Sequence, residues 1–101
     1  MKKVPTHCYI GGIKFRIIVA PIDGGDFGRM QFDEKKILIN TICLAKASLL
    51  RETLRHEMLH AALSVSGVAF MERYDEEAIV RAVDHIFNPS WDKMHAKLMS
   101  L

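Results

Sequence analysis

The hydrophobic period of the chain changes once, near residue 48, and that change restricts the fold more than any other feature. Before it, Ile13, Phe15, Ile17 and Val19 alternate with Lys14 and Arg16, the two-residue period of a strand with one buried face. Cys8-Tyr9-Ile10 and the stretch from Ile13 to Ala20 flank Gly11-Gly12, which predicts a hairpin closed on a two-glycine turn. Pro21 to Gly28 reads as a loop. Arg29 to Phe32 and Ile37 to Ile39 read as two more short strands across the turn Asp33-Glu34-Lys35-Lys36. After the change, Leu49, Leu50, Leu54, Met58, Ala61, Ala62 and Val65 recur at helical spacing, and Gly67 supplies a stop. A second helix is expected from about Asp75, with Ile79, Val80, Val83, Ile86 and Phe87 inward. Asn88-Pro89 should end it and open a short last helix with Trp91, Met94 and Leu98 inward. Strands first and helices after predict an α+β fold, a small antiparallel sheet of three to four strands with helices on one face.

A length of 101 residues suits a single domain over residues 1–101. A net charge of +2, with the basic residues scattered, argues against a nucleic-acid partner, which needs a strong basic cluster. Cys8 and Cys43 lie far apart and in no metal-ligand spacing, as two ordinary thiols of a reducing compartment would. Charges break every apolar stretch well short of the ~18 residues a membrane span needs. The expectation is a cytoplasmic protein with no membrane partner.

The segment that carries chemistry is Arg55-His56-Glu57-Met58-Leu59-His60-Ala61. Residues four apart lie one above the other on a helix, so the imidazoles of His56 and His60 share a side and can hold one zinc ion. Glu57 is one step round, poorly placed to coordinate but well placed to work a water beside the metal as general base. Leu54, Leu59, Ala61 and Ala62 flank the motif, so the helix lies close to a core, where imidazoles need partners.

A catalytic zinc takes three protein ligands. No third histidine follows Gly67 at close spacing, which leaves a carboxylate: Glu72, Asp75, Glu76 or Glu77. Ile79, Val80, Val83 and Phe87 fall three, four, seven and eleven residues after position 76, which centres Glu76 on the inward face of the second helix. Glu76 is therefore the first choice and Glu77 the second. His7, His85 and His95 lie outside the motif, with His7 a remote candidate near the site. Asp23-Gly24-Gly25-Asp26 lacks the later ligands of a calcium loop. Tyr74 is placed to pack near Glu76 or to meet a developing oxyanion.

Thr53-Leu54-Arg55-His56-Glu57-Met58-Leu59-His60-Ala61 resembles the Thr-Leu-x-His-Glu-x-x-His-Ala stretch of small phage and bacterial metallopeptidase-like proteins, related to the ImmA/IrrE group and the minimal gluzincins. Gly28-Arg29-Met30, Ile37-Leu38-Ile39-Asn40 and Asp75-Glu76-Glu77-Ala78-Ile79-Val80 extend the likeness over roughly residues 9–88. The resemblance implies a zincin-like, zinc-dependent peptidase of phage or prophage origin with a Glu as third ligand, from a group whose members act on repressors or other regulators or have no known substrate. The chain lacks the Asn and Phe-Ala positions that follow the ligand in larger ImmA-type proteins, a departure that bears on the repressor-cleaving role more than on the zinc site. The expected activity is peptide-bond hydrolysis on a peptide or protein substrate, with an open strand edge near Ile37–Ile39 or Arg29–Phe32 receiving it. The alternatives are a catalytically silent binding or regulatory module on the same fold and, against the modest charge, a small metal-dependent ribonuclease.

Overall fold

The computed structural model describes residues 4–71 and 73–100. Strands β1 (His7–Ile10) and β2 (Ile13–Ala20) form the expected hairpin, with Ile10 opposite Ile13. Gly11 and Gly12 take φ of 57° and 81°. Two successive positive φ values make the turn whose twist matches that of its strands, and only glycine adopts them without strain. Strands β3 (Gly28–Gln31) and β4 (Lys36–Asn40) form a second antiparallel pair.

The two pairs join through β2 and β4, which run parallel, Arg16 opposite Lys36 and Ala20 opposite Asn40. The strand order is β1-β2-β4-β3. The sheet is therefore mixed, which corrects the antiparallel expectation. The chain leaves β2, runs back along the far edge as β3, and returns as β4 in the direction of β2. Burial favours this order: Ile37 and Ile39 of β4 are fully buried, whereas Arg29 of β3 faces water.

Asn40, a buried polar residue at the end of β4, ties the loop before β3 to the sheet. Its Nδ2 donates to the carbonyls of Asp26 (2.9 Å) and Ile22 (3.3 Å), and its Oδ1 accepts from the Ile42 N–H. Helix α1 (Ala47–Val65) lies over β1, β3 and β4. Leu50, Leu54, Met58, Ala62 and Val65 pack on a core of Phe15, Ile17, Ile37, Ile39, Cys43 and Ala61. Burying a side chain such as Phe15 or Ile37 contributes about 1.5–3 kcal/mol.

Asp75 caps helix α2 (Glu76–Ala82), its Oδ1 accepting from Ala78 N–H at 3.0 Å. Asn88-Pro89 does not end this helix. The chain runs on through a single π turn, Val83–Phe87, into helix α3 (Asn88–Met99). Proline lacks an N–H and presses on the carbonyl four residues back. A widened turn before Pro89, in which Asn88 N–H reaches Val83 O, removes that conflict and lets the helix continue. The expected inward faces are corrected accordingly. Val80 is buried, but Ile79, Ile86 and Phe87 are exposed; so are Trp91, Met94 and Leu98, because a helix that does not break carries α3 away from the sheet. Among the described residues, no helix is long and apolar enough to cross a membrane.

Candidate metal centre

His56, Glu57 and His60 lie in the middle of α1. The most deeply buried row of that helix is Thr53, Glu57, Ala61 and Ser64, the row that faces the sheet. Glu57 thus carries a carboxylate into the interface with β3 and is only 7 % exposed. The β3 backbone passes so close at Gly28 that a side chain there would collide with Glu57 and Thr53. Burial pushes the Glu57 carboxyl above the ordinary range, and nearby Asp26 adds slightly to this. The charges of His56 and His60 and the Met30 backbone N–H act in the opposite direction. A carboxylate raised in this way is a stronger proton acceptor than a free glutamate.

His56 and His60 border the buried row, and their Nε2 atoms stand 3.2 Å apart. Each ring turns its other nitrogen to a carboxylate. His56 Nδ1 meets Asp84 Oδ2 at 2.5 Å, and His60 Nδ1 meets Glu76 Oε2. An Nδ1–H that donates to a carboxylate fixes the tautomer and leaves Nε2 with a lone pair. Two such lone pairs face to face repel unless a proton or a cation lies between them. Tetrahedral zinc with bonds of about 2.0–2.1 Å holds neighbouring ligand atoms about 3.3 Å apart. The observed Nε2 separation fits such an ion, as does the borderline-soft imidazole donor pair.

Glu76, the first choice for third ligand, sits on the Nδ1 side of His60, away from the Nε2 pair. Its other oxygen accepts from Tyr74 Oη at 2.7 Å. Desolvation, the donated bond and the Glu76 charge together push the Tyr74 hydroxyl up to about 12, so it stays protonated as a donor. Glu77, the second choice, brings Oε1 to 3.6 Å from His60 Nε2 and is largely exposed. Asp75 is spent as the helix cap. Glu72 lies outside the described residues. Among the described residues, no three His, Cys, Asp or Glu side chains already converge as a metal-binding group. The histidine pair is the assembled part of the donor set.

The other histidines are elsewhere. His7 belongs to β1, at the sheet edge opposite to β3, and contacts Thr6 and Tyr9. His95 stacks beside Trp91, while His85 lines a cavity of about 740 Å³ next to His56 and Glu57. A smaller hollow of about 320 Å³ lies over Gly28, Met30, His56, Glu57, His60 and Glu76. Asp26 makes an ion pair with Arg29 at 3.3 Å. Of the two candidate substrate edges, Ile37–Ile39 is excluded because β4 is interior, whereas β3 is one of the two outer strands, β1 being the other.

Sequence reasoning missed Asp84, and it noted Gly28 and Met30 only within the family likeness, without the contacts they make to Glu57. On an unbroken α-helix Asp84 would lie about 80° round from Glu76. Pro89, which demands a disturbed turn upstream, was the available signal that this extrapolation fails. In comparisons with known proteins, no family model, curated protein or solved structure matches the chain.

Proposed function

We propose that the protein is a zinc-dependent peptide hydrolase of the minimal gluzincin kind. The observation that carries this reading is the 3.2 Å approach of His56 Nε2 to His60 Nε2 beside the buried Glu57 carboxylate. In this reading His56 and His60 are two ligands, and a glutamate at the start of α2 is the third. Glu77 takes that role on the Nε2 side, and Glu76 orients His60. A zinc ion held there supplies Lewis acidity toward the scissile carbonyl and the attacking water. Glu57 accepts the proton of that water and passes it to the leaving amine. Its raised proton affinity suits both halves of the transfer. The free edge of β3 receives an extended peptide as an added strand. The two free thiols, Cys8 and Cys43, support a reducing, cytoplasmic setting.

The test is zinc content and peptide hydrolysis of the wild type, Glu57→Gln and His60→Ala. Glu57→Gln should keep zinc and lose about 10²–10⁴-fold in rate, whereas His60→Ala should lose both. Full hydrolytic activity in Glu57→Gln would overturn the mechanism. The exposed apolar side chains of Phe87 in the π turn and of Trp91, Met94 and Leu98 in α3 favour a second reading, a regulatory module that acts by contact. Inhibition of a partner that survives Glu57→Gln would mark it.

A further inference from the structure

His56 borders the buried row of α1; its Nε2 faces His60 on the same helix, but no residue of that helix meets its Nδ1. Its partner comes from across the fold. Asp84 reaches its Nδ1 at 2.5 Å from the π turn, and the Asp84 side chain is only 17 % exposed. Among the described residues, His56 is the one ion-pair partner of Asp84, so the carboxylate is not there to neutralise a lysine or arginine. The turn that bears it is the one irregular stretch of an otherwise continuous helix from Glu76 to Met99. A π turn winds more slowly than an α turn, so residue 84 lags behind its α-helical angle, toward the face that carries Glu76 and Val80. The widened turn, which lies just before Pro89, delivers Asp84 to His56.

We propose that Asp84 is a positioning residue for His56 as a metal ligand, and that the π turn is the device that places it. This rests on the zinc reading above. Asp84 holds His56 in the Nδ1–H tautomer, keeps the Nε2 lone pair toward His60, and makes the ring a better donor through its negative charge. Its counterpart on His60 is Glu76, from the first turn of the same helix. One helix therefore orients both rings, from two points eight residues apart.

The experiment measures zinc affinity by competition with a chromophoric chelator, for the wild type, Asp84→Ala, Asp84→Asn, Asp84→Glu and His60→Ala. Cobalt-substituted spectra report the coordination, and circular dichroism with thermal melting of the metal-free proteins reports the fold. Asp84→Ala should weaken zinc by about 10–100-fold. Asp84→Asn should lose less, because its amide oxygen still accepts from Nδ1–H, and Asp84→Glu should recover most of the affinity. The cobalt spectrum should shift in Asp84→Ala while the metal-free melt stays near that of the wild type. If Asp84→Ala unfolds, Asp84→Asn decides: weaker zinc at an unchanged melt supports the proposal, and wild-type affinity overturns it. Wild-type affinity in Asp84→Ala, alongside loss in His60→Ala, would overturn the Asp84 role and leave the zinc site standing. Equal, weak binding by the wild type and His60→Ala would remove the zinc site itself, and the Asp84 role with it.

Discussion

A Cβ on Gly28 would stand 2.9 Å from Cγ of Glu57 and 3.0 Å from Cγ2 of Thr53, so β3 and α1 meet where only a hydrogen fits. Gly28→Ala must push the strand off the helix or turn Glu57 out of the interface. We expect a loss of roughly 1–3 kcal/mol in stability, read from the urea midpoint. An unchanged midpoint would show that the two elements do not approach this closely.

Burial raises the proton affinity of Glu57, so the folded metal-free protein binds its proton more tightly than the unfolded chain does. The carboxyl therefore favours folding in acid, and that contribution is lost as pH rises through its folded-state pKa. Metal-free Glu57→Gln should melt higher than the metal-free wild type at neutral pH. The gap should close as pH falls toward the ordinary carboxylate range, about 4. Equal melting temperatures at neutral pH would mean the carboxylate is well solvated.

Glu76 and Glu77 occupy different sides of His60, one at Nδ1 and the other 3.6 Å from Nε2. Removing a ligand costs more affinity than removing the group that orients one. Glu77→Gln should thus weaken zinc more than Glu76→Gln, the latter by about 10–100-fold. Isothermal titration of the two variants checks the order, and the reverse order would return the ligand role to Glu76.

Asn40 makes its three side-chain hydrogen bonds in a buried position. Asn40→Ala strands the carbonyls of Ile22 and Asp26 and should cost about 1–3 kcal/mol. The loop before β3 should loosen first, seen as faster amide exchange over residues 22–27. Uniform exchange across the chain would contradict the anchoring role.

What the residues disclosed in advance was local. The two-glycine turn, the helix through His56 and His60, its stop at Gly67 and the start of a second helix near Asp75 each depend on neighbours within a few positions. The parallel joint of β2 and β4 does not. Ile17 and Ile37 read as strand residues in either pairing, and only the burial of β4 between two neighbours selects the mixed order. The reach of Asp84 to His56 escaped for a different reason. Helical phase was carried straight through Val83–Phe87, where the turn widens. Trp91, Met94 and Leu98 looked inward because Asn88-Pro89 reads as a break that opens a separate last helix, whereas the helix runs on through it.

β3 has one strand neighbour, and an edge held on one side opens at lower free energy than the centre of a sheet. Each opening lifts Gly28 and Met30 from Glu57 and admits water to its carboxylate. Hydration returns the group toward the proton affinity of a free glutamate. The strength of Glu57 as a base is therefore a property of the closed edge and rises and falls with the docking of a single short strand.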